Sequence, residues 1–107
     1  MHDQQEYLSL ESAIVQVLKG IYDPEIPVNI YDLGLIYEIQ VDDENTVEVT
    51  MTLTAPNCPV ADSLIQEVEQ QIKHIEGVKS AQVHLVFDPP WDKEMMSDEA
   101  KLELGLL

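Results

Sequence analysis

The 107-residue chain has no arginine, only five lysines and a single cysteine, against 21 Asp and Glu, which leaves a formal net charge of -16. Nucleic-acid binding rests on a Lys/Arg footprint that neutralises phosphates, and this chain cannot supply one, so nucleic acid is excluded as a partner. An anionic membrane surface is disfavoured for the same reason. The acid excess reads as a solubility device, with a basic protein partner or loose cation binding as the alternatives. No apolar run approaches the length of a membrane span. The polar, acidic start from Met1 to Tyr7 lacks the basic stretch and apolar core of a secretory signal. A lone cysteine forms no internal disulfide, and with no signal it points to a reducing cytoplasm, where Cys58 is a free thiol. Also missing are a Cys-x-x-Cys pair, a glycine-rich phosphate loop, a nucleophile elbow around Ser63 and repeats at solenoid periods.

With 45% hydrophobic residues and no low-complexity segment, the chain is expected to fold as one domain over residues 1–107, with residues 1–8 flexible. Ser9 is a candidate cap for a helix carrying Leu10, Ile14, Val17, Leu18 and Ile21 on one stripe and ending near Gly20 to Tyr22. Asp23-Pro24-Glu25-Ile26-Pro27 cannot continue it, because both prolines lack an N–H donor and push the preceding residue toward extended geometry. Leu35 to Val41 alternates, with Leu35, Tyr37, Ile39 and Val41 on one face and Ile36, Glu38, Gln40 and Asp42 on the wetter one. After a turn at Asp42 to Asn45, Val47, Val49, Met51 and Leu53 alternate with Glu48, Thr50, Thr52 and Thr54, so the two strands should pair as a hairpin. Beyond Pro59 a helical spacing runs from Val60 to Ile75 and should stop at Gly77. Val78 to Phe87 returns to alternation. Asp88-Pro89-Pro90-Trp91 breaks that strand, and Ser97 caps a short terminal helix. The order α-β-β-α-β-α predicts an α+β fold: a small three-stranded sheet, built of a β-hairpin plus a β-α-β crossover, with helices packed on one face.

Three pieces of this pattern could carry chemistry: the Asp23-Pro24-Glu25 loop, the Thr52/Thr54 strand face and Cys58. A cysteine at a helix start faces unpaired N–H groups and the positive end of the peptide dipole, which favour the thiolate. The threonine hydroxyls could hydrogen-bond a sulfur, and Asp23 or Glu25 could serve as a hard oxygen ligand. Each also has a purely structural reading: Cys58 as a small buried hydrophobe, Asp23 as a turn opener, Thr52 and Thr54 as solvent-face strand residues. His84, on the polar strand face, reads best as solvated or satisfied. One cysteine cannot complete an iron-sulfur or structural zinc site, so any cluster would have to be shared with a second copy of the chain, a client protein or a small thiol.

Three segments taken together resemble one family: Tyr22-Asp23-Pro24-Glu25-Ile26-Pro27 with Asp32-Leu33-Gly34-Leu35, then Thr54 to Pro59, then Phe87-Asp88-Pro89-Pro90-Trp91. This combination is similar to the SufT/PaaD-like metal-sulfur cluster assembly family, related to the targeting factor of the eukaryotic cytosolic iron-sulfur pathway. The resemblance runs from the first helix to Leu104-Gly105. It implies the small α+β iron-sulfur cluster assembly domain and a cytoplasmic accessory factor in iron-sulfur protein maturation, with relatives encoded beside the SUF machinery. Asp23, Glu25, Thr54 and Cys58 match the positions to which the family's function is attributed. Many bacterial relatives carry two adjacent threonines before the proline, whereas here the second is Ala55.

The leading expectation is therefore a non-enzymatic factor for iron-sulfur cluster assembly or transfer, with Cys58 as the key thiol and metal ligand and Asp23, Glu25, Thr52 and Thr54 as its neighbours. Its cargo would be a transient iron-sulfur cluster or iron, and its partners the assembly machinery and client apoproteins; shared ligation favours a homodimer. The alternatives are a metal-free adaptor that docks clients through its acidic surface, and an accessory component of a ring-oxidising oxygenase system. A small thiol enzyme, with Cys58 as nucleophile and Asp23 or His84 as proton acceptor, is a further class, but the sequence shows no oriented base and no substrate motif.

Overall fold

A computed structural model describes residues 3–24, 26–54 and 61–106, with side chains from residue 10 onward. Helix α1 spans Asp3–Leu18. It starts well before the expected cap at Ser9, because Asp-Gln-Gln-Glu supplies good helix formers and places acid in the first turn, where the dipole favours it. Its buried stripe is Leu10, Ile14 and Leu18, with Ile21 just beyond. The N–H groups of Gly20 and Ile21 reach only to Val17 and Leu18, tightening the last turn before the chain leaves the helix.

A short helix absent from the sequence reading follows the proline loop: α2, Ile30–Leu33. Asn29 caps it by accepting the Asp32 N–H, and Gly34 closes it in the left-handed region at φ 91°. The hairpin is β1, Ile36–Val41, against β2, Thr46–Met51, antiparallel as expected. Asp42 Oδ1 fixes its turn by accepting the N–H groups of both Glu44 and Thr46. A register shift between Ile36 and Glu38 makes Tyr37 an extra residue on β1. The bulge takes Tyr37 off the inward face where strict alternation puts it, and its hydroxyl donates to Pro89 O at 2.7 Å.

Helix α3, Ala61–Lys73, buries Leu64, Val68 and Ile72. It stops short of Gly77, which at φ 99° makes the left-handed turn after the helix instead. Strand β3, Ser80–Leu85, then runs parallel to β2, so the sheet order is β1-β2-β3 with β2 central. The inward residues of β2 (Val47, Val49, Met51) form one cluster with the α1 and α3 stripes. Glu48, Gln82 and His84 lie exposed on the opposite face. The expected α+β architecture, three strands with helices on one side, is what forms. A 3-10 turn, Lys93–Met95, precedes α4, Asp98–Glu103, whose cap is Ser97 as expected. Among the described residues no helix is long and apolar enough to cross a membrane.

The segment after β3 ties the lower part of the domain together. Val86 N–H donates to Met51 O beside β2, Tyr37 on β1 holds Pro89, and Trp91 Nε1 donates to Leu33 O of α2 at 2.7 Å. This strap thus crosses the end of the sheet from one edge to the other. Trp91→Phe keeps an aromatic ring in the strap but removes both the indole donor to the Leu33 carbonyl and part of the packing against the core; a loss of about 1–3 kcal/mol is expected, visible as a midpoint shift in urea at unchanged slope.

Candidate functional site

Backbone bonds weave the described residues between Ile21 and Leu35 together. Ile30 N–H donates to Ile21 O, Asp23 N–H to Val28 O, Leu35 N–H to Ile30 O and Thr52 N–H to Leu35 O, at 2.8 to 3.2 Å. These bonds run from the Asp23 loop, through the end of α2, to the residue that follows β2. The acidic loop and the exit of the central strand therefore lie at one end of the sheet, the end crossed by the 86–91 strap.

Asp23 is 8% exposed, and its Oδ2 accepts the Ile26 N–H at 2.8 Å. Part of its role is thus the turn-forming one: Pro24 and Pro27 remove donors from the loop, and the carboxylate satisfies one of those that remain. A buried carboxylate flanked by proline has less conformational freedom to lose on meeting a cation.

Thr52 departs from the solvent-face reading. By alternation it follows Thr50, on the face away from the core, yet it is 0% exposed. Met51, Thr52 and Leu53 are buried in succession, so the alternation ends where β2 does. Its Oγ1 has no hydrogen-bond partner among the described residues. Leaving a buried hydroxyl unsatisfied costs about 1–3 kcal/mol, and the segment it heads runs directly into Thr54 and then Cys58. Thr54 is half-buried. Glu25 and Cys58 lie outside the described residues, as does the start of the chain leading into α3.

His84 is half-exposed on the far face of the sheet, with Nε2 3.1 Å from Glu48 Oε1, in keeping with a satisfied strand histidine. Among the described residues no three of His, Cys, Asp and Glu come together as a metal site. Sequence reasoning missed a second feature, a groove of about 570 Å³ lined by Tyr31, Gly34, Ile36, Tyr37, Pro89 and Met95. The Asn29 cap with Asp32 and Gly34 marks α2 in the sequence, but nothing local announces that Met95 will close against it.

With this geometry in place, comparison with known proteins gives consistent findings. The sequence pattern of a family described as iron-sulfur cluster assembly protein matches residues 11–85. A Porphyromonas gingivalis protein named Fe-S protein maturation auxiliary factor is 55% identical over 95% of this chain and 97% of its own. The Bacillus subtilis Fe-S protein maturation auxiliary factor YitW is 38% identical over 92% of this chain and 96% of its own. Among solved structures, a domain of unknown function from Bacillus anthracis superposes with a TM-score of 0.85 at 35% identity, covering 92% of this chain and 94% of that one.

Proposed function

Because the chain belongs to the iron-sulfur cluster assembly protein family, we propose that it is an accessory factor in iron-sulfur protein maturation, acting through the thiol of Cys58. The observation that carries this reading at residue level is the fully buried hydroxyl of Thr52, unpartnered among the described residues, at the head of the Cys58 segment. Buried hydroxyls nearly always have a hydrogen-bond partner, so one left open here is a candidate donor to a bound group.

In this reading Cys58 loses its proton to solvent and the thiolate donates an electron pair to iron of an incoming cluster or ion, which is cargo rather than a resident group. Thr52 and Thr54 donate hydrogen bonds to sulfur, and Asp23 and Glu25 offset the positive charge of iron. Release is ligand exchange: a client thiolate replaces Cys58 on the metal, one iron–sulfur bond forming as another breaks, with no net oxidation. Since one thiol cannot hold a cluster alone, the remaining ligands come from a second copy, the client or a small thiol. The chain does no bond-making chemistry on a substrate of its own, and its partners are the assembly machinery and client apoproteins of the cytoplasm.

Anaerobic reconstitution tests this, with iron and sulfide assayed per chain in the unsubstituted protein and in Cys58→Ser. Stoichiometric iron that depends on Cys58 is expected, about half a cluster per chain if two copies share it. Iron uptake indifferent to the substitution, or none at all, would transfer the function to a metal-free adaptor. Thr52→Val gives a second check. Replacing an unpartnered buried hydroxyl by a methyl of the same shape should leave the thermal midpoint unchanged or raise stability by up to about 1 kcal/mol, while weakening iron retention. Lower stability with normal iron retention would make Thr52 a packing residue.

A further inference from the structure

The groove beside α2 is remote in character from a thiol site. It is lined by two tyrosines, an isoleucine, a proline, a methionine and Gly34. Tyr31 and Met95 are each 37% exposed, among the few large apolar side chains of the described residues that reach solvent. Tyr37 is held in it by two contacts, its hydroxyl donating to Pro89 O at 2.7 Å and lying 3.7 Å from the Met95 sulfur. The bulge that turns Tyr37 outward and the 3-10 turn that brings Met95 over Gly34 together build this surface.

Charge indicates what it would hold. The exposed carboxylates Glu38 and Asp88 each adjoin a lining residue in sequence, as does Glu94, which is already paired with Lys101 at 3.3 Å, on a chain whose net charge is -16. One wall already attracts a cation: the Lys19 ammonium sits 5.6 Å from the centroid of the Tyr31 ring. Aromatic faces and a thioether with an acidic surround suit a guanidinium or ammonium carried on an apolar stem, next to an aliphatic side chain. A free polyamine would satisfy the charge but leave Ile36, Pro89 and Met95 uncovered. We infer that this groove docks a basic segment of a partner protein, one presenting Lys or Arg beside an aliphatic residue, and that Lys19 occupies the Tyr31 face until the partner's cation competes for it. The inference is independent of the role assigned to Cys58.

The test uses nitrogen-15-labelled full chain titrated with a capped peptide Gly-Arg-Leu-Arg-Leu-Gly and with its counterpart carrying Glu for Arg. Salt-sensitive amide shifts confined to Lys19, residues 31–37 and residues 91–95 are expected with the basic peptide and none with the acidic one. Tyr31→Ala should weaken binding roughly fivefold, the scale of one exposed cation–π contact. Lys19→Ala should tighten it, because the competing intramolecular cation is gone. Cys58→Ser should bind like the unsubstituted chain, which separates failure here from failure of the maturation role. Absence of shifts with the basic peptide, shifts elsewhere, equal binding of both peptides, or weaker binding in Lys19→Ala would each overturn the proposal. Groove shifts that grow with protein concentration alone would also overturn it and give the surface to a second copy of this chain.

Discussion

Client iron-sulfur enzymes should lose activity on the order of tenfold or more in cells whose sole copy of this protein carries Cys58→Ser, the scale on which loss of even an outer partner lowers metal affinity. The serine keeps the size and hydrogen-bonding ability of the residue and removes only the soft sulfur donor. A hydroxyl does not ionise near neutrality and is a poor ligand for iron in thiolate-rich surroundings. The effect should therefore appear in client activity and cluster content while the variant's own abundance and melting temperature stay put. Because the chain offers a single thiol, no neighbouring cysteine can substitute. Client enzymes that mature normally in this background would remove sulfur chemistry from the mechanism and leave the adaptor reading, in which the acidic surface and the tyrosine-lined groove carry the function.

The second large effect is expected at Gly34. Two separate constraints meet there. Its φ of 91° lies where a side chain costs about 1–2 kcal/mol. A Cβ at this position would also stand 2.5 Å from the Met95 carbonyl oxygen and 2.9 Å from its carbon, and backbone cannot step aside as a side-chain tip can. Gly34→Ala should therefore destabilise by about 3 kcal/mol or more, lowering the melting temperature by roughly 10–20 °C for a domain of this size. Gly77 supplies the control. It too has positive φ, at 99°, but a methyl group added there would meet nothing within 4 Å, so Gly77→Ala should cost only the backbone term, about 1 kcal/mol. Equal losses at the two glycines would mean that the 93–95 turn does not rest on α2 as described. A Gly34→Ala protein that stays folded should also have its Met95 turn displaced, and with it the groove.

Much of this protein could be read from its residues in order. The inward set Val47, Val49 and Met51, the stripe Leu64, Val68 and Ile72, and the Ser97 cap all lie where their spacing places them, because alternation and helical periodicity are local consequences of burying one face. The missing arginine and the single cysteine likewise bound the chemistry before any fold is known, since charge and thiol count do not depend on folding. The segments around Asp23, Thr54 and Trp91 together are enough to indicate the family.

Local pattern stops short at α2, at Tyr37 and at Thr52. Four helical residues are too few for a period to show, and only the pairing of the Asn29 cap with Gly34 marks them. Tyr37 keeps perfect alternation in sequence and leaves the inward face because the strand bulges against β2. Thr52 ends a clean polar series, yet it is buried where the chain leaves β2, its N–H donating to Leu35 O. The sequence by itself determined which faces are apolar, how far the net charge lies from neutrality and that any thiol chemistry has a single cysteine to draw on. Tertiary structure alone decided that the Thr52 hydroxyl is sealed from water, and which tyrosines and methionine meet to form a groove, because burial at those positions is conferred by segments tens of residues away rather than by neighbours in the chain.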